Sequence, residues 1–228
     1  MIYTDDPIRN YTLAGIPREF RRKSRAENWI GDGDALDDVE QYIAELEEHM
    51  ITGHGLFLRG QPGRGKTFLS CEIAKTAVDL GVPVAFLSAT QYLSLLKARM
   101  DLSTEHRALL DTRVELGLDV GEDPALDDRL LQVTHQRVRR ALQYENLING
   151  TVKLLVLDDI GSEYVTGWSS REVETLLRLR PGATVITSNS SNDHLRDLYG
   201  DAFVSFLRGI TDFIVVGGDD YRDSHATR

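Results

Sequence analysis

The sequence predicts an α/β fold, a five-stranded parallel sheet with helices on both faces. Three observations carry that expectation. Gly60-Gln61-Pro62-Gly63-Arg64-Gly65-Lys66-Thr67 is a G-x-x-x-x-G-K-T phosphate loop, set between a short apolar run and a helical pattern. Apolar runs recur at 84–87, 153–157, 184–187 and 213–216, with helical segments between them. Most of these runs are near-continuously apolar, as strands covered on both faces are.

Taken in order, residues 1–33 carry Pro7, Gly15, Pro17, Gly31 and Gly33 and read as an irregular lead-in to a main domain at 34–228. A helix is expected over 34–50, where Leu36, Val39, Ile43, Leu46 and Met50 recur at three- and four-residue steps. Gly53 and Gly55 end it, and 56–59 is the first strand. After the phosphate loop a helix runs over 68–80, with Leu69, Ile73, Ala77 and Leu80 on one face. The strand at 84–87 and a helix over 91–100 follow.

About 65 positions then separate Ser88 from Lys153, more than one helical crossover needs. The excess reads as an inserted helical region at about 101–150, acidic up to Asp128. Over 129–147 it becomes an amphipathic helix. Leu130, Val138, Ala141, Leu142 and Glu145 lie on or near one face, and the arginines fall largely on the other. The strands at 153–157, 184–187 and 213–216 complete the sheet.

A chain of 228 residues, 41% hydrophobic, suits one α/β domain with a proper core. No apolar run is long enough to span a bilayer, so no membrane partner is expected. The start, residues 1–6, is not a signal peptide, and the one cysteine, Cys71, reads as a small core residue; a cytoplasmic setting fits. The net charge of −10 argues against non-specific coating of duplex DNA. Charge is segregated, however. Eight acids and no Lys or Arg fall within 32–48, whereas Arg18, Arg21, Arg22, Lys23 and Arg25 cluster near the start, and Arg129, Arg137, Arg139 and Arg140 cluster before residue 145.

The phosphate loop dictates the first half of a site. Glycines 60, 63 and 65 let the backbone wrap closely and aim N–H groups at phosphate oxygens. The start of the following helix adds positive potential at the same point. Lys66 would reach the β- and γ-phosphates, and the Thr67 hydroxyl would hold Mg²⁺. The stretch from Gly60 to Phe68 is therefore the expected ATP-binding segment. The second half comes from residues 154–159, an apolar strand ending in Asp158 and Asp159, at the end of a strand where α/β sheets present ligand groups. Asp158 is assigned to Mg²⁺, and Asp159 to orienting or deprotonating an attacking water. Adjacent carboxylates need a cation between them, which Mg²⁺ supplies. Asn189, closing the polar end of the fourth strand, is placed to hydrogen-bond that water or the γ-phosphate.

The phosphate loop, the strand into Asp158-Asp159-Ile160-Gly161-Ser162-Glu163, the strand into Thr187-Ser188-Asn189 and the final strand into Asp220-Tyr221-Arg222 together resemble an AAA+ ATPase. Within that class the chain is similar to the replicative helicase loaders of the DnaC and DnaI group and to the related IstB transposition ATPases. Residues 14–20 resemble the segment leading into their ATPase core, so the likeness covers roughly 13–222. The resemblance implies sheet order 5-1-4-3-2 and self-association into an open ring or spiral with ATP between subunits. It also implies an arginine supplied by the neighbour, for which Arg208 is the candidate by position. Arg222 is a second arginine that would face nucleotide or steady the fold. By the same resemblance Arg129, Arg137, Arg139 and Arg140 occupy the place of a helix that meets single-stranded DNA. Two departures stand out: many members carry Asp-Glu where this chain has Asp158-Asp159, and little chain follows the last strand, leaving no room for a full C-terminal lid domain.

The function this implies is an ATPase that converts ATP and water to ADP and phosphate and loads a ring-shaped, DnaB-type replicative helicase onto single-stranded DNA. An IstB-like regulator of transposition target choice is the alternative on the same scaffold. A small-molecule phosphotransferase, with the insertion as lid, and a non-catalytic nucleotide-gated adaptor are the readings from other classes.

Overall fold

Short runs rich in Leu, Val, Ile and Phe pair side by side as parallel strands in the computed structural model, which describes residues 3–22, 29, 31–162 and 166–220. The strands are β1 (Gly55–Arg59), β2 (Val84–Ser88), β3 (Leu154–Asp158), β4 (Ala183–Ser188) and β5 (Thr211–Val215). Their order is β2-β3-β4-β1-β5, the expected order read from the other edge. Leu56 lies opposite Val185, Gly55 opposite Thr211, and Ser88 opposite Asp158. Leu154, Leu155, Val156 and Leu157 have no exposed surface, as a central strand with both faces covered requires.

The chain divides into two compact units, residues 1–90 with 147–228, and residues 91–146. In the first, the sheet is flanked by α1 (Pro7–Leu13), α2 (Gly33–Ala44), α3 (Leu46–Thr52), α4 (Lys66–Asp79), α7 (Gly167–Leu179), α8 (Asn192–Tyr199) and α9 (Asp201–Ile210). Helix α4 is the hub, packing on β1 to β4 and on α1 and α2. Its Leu69, Ile73, Ala74 and Ala77 are completely buried. Arg180, just after α7, donates to Thr184 Oγ1 at 2.8 Å, Leu147 O at 3.0 Å and Ala183 O at 2.8 Å, and burial lowers its pKa to about 10. The second unit consists almost wholly of α5 (Ala89–Leu116) and α6 (Pro124–Ile148). Among the described residues, no helix is long and apolar enough to cross a membrane.

Four expectations are corrected. The described part of the lead-in carries a helix: Asp6 accepts from the N–H groups of Ile8 and Arg9 and so caps α1, whose first residue is Pro7. A short 3₁₀ turn, Arg18–Phe20, follows. The helix expected over 34–50 breaks at Glu45 (φ −101°, ψ 13°) into α2 and α3. That break turns Leu46 and His49 inward, where the His49 ring stacks on Tyr42 at 4.2 Å. Helix α5 continues 16 residues beyond Met100, through a stretch with little amphipathic signal. On α6 the buried side runs through Leu130, Val133, Tyr144 and Leu147, whereas Val138 and Leu142 are exposed. The apolar stripe is thus rotated from the one expected. Lys23, Arg25, Glu163, Tyr221 and Arg222 lie outside the described residues.

Candidate nucleotide-binding site

The turn between β1 and α4 is shaped by glycine. Gly63 (φ 79°) and Gly65 (φ 86°) sit in the left-handed region on either side of Arg64, an alternation that turns successive N–H groups toward one point. Helix α4 starts at Lys66, so four N–H groups without helical partners and the positive end of the helix dipole converge there. Lys66 is buried, and its ammonium donates to Gly60 O and Gln61 O, both at 2.8 Å. The lysine therefore lies folded against the loop it is expected to serve. Arg64 reaches back to Gln61 Oε1 at 3.3 Å on the exposed side.

The acids arrive from the neighbouring strand ends. Thr67 Oγ1 donates to Asp158 at 3.2 Å, joining the two halves of the site across 91 residues of sequence. Thr187, at the end of β4, donates its hydroxyl to Asp158 Oδ1 at 2.7 Å and accepts the N–H of Asp159 at 2.8 Å. Burial pushes the Asp158 carboxyl above the usual carboxylate range; the Thr187 and Thr67 hydroxyls pull it back, the Asp159 charge adds to the rise, and Lys66 opposes it. Asp159 is the one non-glycine residue with positive φ among those described, at 60°. Its carboxylate accepts from Asn189 Nδ2 at 2.6 Å. A strained backbone at that position fixes the direction of the second acid.

These groups border one cavity of about 440 Å³, within the ordinary range for a small-molecule site. Its polar side is Lys66, Asp158, Asp159 and Asn189, with Thr67 and Thr187 between them. Pro62, Gly63, Gly65 and Phe68 come from the loop and the start of α4. Pro17, Glu19, Phe20 and Trp29 complete the wall from the lead-in segment. The residues present fit a magnesium nucleotide. Two hydroxyls and two carboxylates are hard oxygen donors, and Thr67 and Asp158 already meet beneath the loop at 3.2 Å. No cluster of three or more His, Cys, Asp or Glu is placed to cage a metal among the described residues.

Of the residues singled out by sequence, those of the loop, Asp158, Asp159 and Asn189 are brought together. Arg208 is not. It lies exposed on α9, its guanidinium 5.9 Å from the Phe213 ring centre, and does not line this cavity. The four arginines of α6 separate. Arg129 pairs with Glu105 on α5, and half-buried Arg137 donates to His106 Nδ1 at 2.7 Å, which requires the tautomer protonated on Nε2. Arg139 and Arg140 are exposed, Arg140 reaching Gln143 Oε1 at 3.3 Å. Sequence reasoning gave no role to Thr187, Trp29 or Phe20. The only trace of Thr187 was a hydroxyl closing an apolar strand, and nothing in the order of letters ties Trp29 to the loop.

No family model matches the chain, and no curated protein matches it. Solved structures do resemble it. One is DnaI, 19% identical, with a TM-score of 0.58 over 90% of this chain and 94% of that one. A second is the replication initiator DnaA bound to AMPPCP and single-stranded DNA, 19% identical with a TM-score of 0.54, over 90% of this chain and 51% of that one. A third is a DNA replication initiation factor, 20% identical with a TM-score of 0.52, over 87% and 51%. The chain thus spans nearly all of the first and about half the length of the other two. At these identities the likeness establishes the fold alone, a five-stranded parallel sheet flanked by helices with a phosphate loop after β1.

Proposed function

We propose that this chain is an ATP-dependent DNA replication factor, one that places a ring-shaped, DnaB-type helicase on single-stranded DNA in the cytoplasm. The observation carrying the ATPase part is the junction of Thr67, Asp158 and Thr187 beneath the phosphate loop. Lys66 exchanges its loop carbonyls for β- and γ-phosphate oxygens, and the N–H groups of the loop hold the rest of the chain of phosphates. Thr67 and Asp158 would hold Mg²⁺, which neutralises phosphate charge. Asp159 takes the proton of the attacking water, and Asn189, bonded to Asp159, orients it. The products are ADP and phosphate.

The loader part is supported by the likeness to DnaI along nearly the full length of both chains. In this reading the protein self-associates into a ring or spiral, Arg208 enters a neighbour's site, and exposed Arg139 and Arg140 meet DNA phosphates. ATP acts as an assembly switch, closing the subunit contact when bound and loosening it when hydrolysed.

Two measurements test the proposal. Calorimetry should detect magnesium-dependent ATP uptake, weakened about ten- to a hundredfold by Lys66→Ala, which removes a charged hydrogen bond to phosphate. Absence of uptake by folded protein sinks the nucleotide reading. A pull-down with the replicative helicase should show association that depends on ATP; no association in any nucleotide state sinks the loader reading and leaves the ATPase standing.

A further inference from the structure

Trp29 walls the cavity yet belongs to neither its phosphate nor its metal side. Its indole lies against the phosphate loop so closely that a Cβ at Gly65 would overlap its six-membered ring. It also stacks on Phe68, with ring centres 5.8 Å apart and planes 25° from parallel, and Phe20 meets Phe68 edge-on at 6.3 Å. An aromatic wall therefore stands directly beside the start of α4. The 5.8 Å separation leaves no slot between the indole and Phe68, so a flat ligand stacks on the wall and is not sandwiched within it.

The indole is also fixed from behind. Its Nε1 donates to Asp32 O at 2.9 Å. The Asp32 carboxylate has two further holds: Oδ1 accepts from Asp34 N at 3.1 Å, capping α2, and Oδ2 accepts from Gly217 N at 3.0 Å. Gly217 belongs to the segment leaving β5, and two residues beyond Gly218 the Asp220 carboxylate packs against Gly63 of the loop. Asp32 thus joins the segment before α2 to the segment after β5, both of which touch the phosphate loop.

We propose that Trp29 is the wall on which the purine base of the bound nucleotide stacks, and that Asp32 is its positioning residue. This rests on the nucleotide reading above and deepens it. Stacking scales with the π face offered, so a purine nucleotide binds more tightly than a pyrimidine one with the same phosphates. Base occupancy then also grips the lead-in and the segment after β5 together, through the Asp32–Gly217 contact.

The test measures magnesium-dependent affinity for ATP, CTP and inorganic tripolyphosphate, the last having no base. The wild-type chain should bind ATP about threefold more tightly than CTP, a part of the roughly tenfold that one base–aromatic stack is worth. Trp29→Ala should lose about tenfold on ATP, erase the preference over CTP, and keep tripolyphosphate affinity; Trp29→Phe should fall between. Asp32→Ala in a Trp168→Phe background should shift Trp29 emission and weaken ATP but not tripolyphosphate. Equal loss of ATP and tripolyphosphate in Trp29→Ala and Trp29→Phe would mean a purely structural role and overturn the proposal. Unchanged ATP affinity, or tighter ATP binding as expected of a displaced plug, also overturns it. A wild-type chain that binds tripolyphosphate without base preference defeats this proposal alone, and one that binds none of the three defeats the nucleotide reading as well.

Discussion

Asp158 carries its charge under protest. Its folded-state pKa lies above the ordinary carboxylate value, so the native state binds the proton more tightly than the unfolded chain does. Stability contributed by this residue therefore falls as pH rises from the ordinary carboxylate pKa through the raised one, and stays lowered at neutral pH. Asp158→Asn should melt at a higher temperature than the wild type at pH 7 without ligand, and the difference should vanish below the ordinary carboxylate range, where both side chains are neutral. The same variant should lose the extra stabilisation by Mg·ATP, and turnover should drop by about a hundredfold or more. Thermal unfolding across pH, with and without Mg·ATP, checks the first two; a phosphate-release assay checks the third. The loop and the acid pair were legible because each is a run of consecutive letters with a fixed chemistry. Thr187 was not, because its contact with Asp158 spans 29 positions and exists only once β3 and β4 lie side by side.

Among elements, the lead-in shows how an edge strand is managed. β2 is an edge of the sheet, and its outward backbone groups are taken up from the N-terminal side: Phe86 N donates to Ala14 O at 2.7 Å and Val84 N to Tyr3 Oη at 3.0 Å. Gly15 has φ 86°, and a Cβ there would lie 2.5 Å from Phe86 O. Gly15→Val should cost about 2 kcal/mol or more, combining the left-handed backbone with the clash, and should raise aggregation on heating. Chemical denaturation with light scattering checks both. This covering was readable only in part. Asp6-Pro7 is a helix-start signal that the breakers around it obscured, and the bend at Glu45 has no breaker residue of its own; it goes with the stacking of His49 on Tyr42. On α6, Arg139 and Arg140 are exposed, and exposed Arg129 is paired with Glu105. If α6 meets single-stranded DNA, reversing both charges should flatten the salt dependence of binding by about 0.7 log units per lost phosphate contact, or roughly 1.4 in all. Reversing Arg129, already paired with Glu105, should do less. Filter binding across a salt series checks the difference.

At the scale of the whole molecule, α/β architecture was legible from the spacing of apolar runs, and strand order from resemblance to AAA+ ATPases, because order depends on crossovers that no single run of letters records. Arg208 lies away from its own chain's cavity, and the proposed role in a neighbour's site has a direct test. Arg208→Ala should leave ATP affinity within about twofold and cut turnover by about 10³-fold or more if it acts on the transition state. Mixing Arg208→Ala with Lys66→Ala protein should restore part of that turnover, since one chain supplies the arginine and the other an intact cavity; a titration of phosphate release against mixing ratio checks it. The contact between Asp32 and Gly217, 185 residues apart, has a mechanical consequence. The segment that leads into α2 and the segment that leaves β5 meet at one crossing point. A tug on the segment that leaves β5 therefore reaches the start of α2 as well as the sheet, whereas one applied ahead of residue 14 meets the Ala14 and Tyr3 bonds to β2 first.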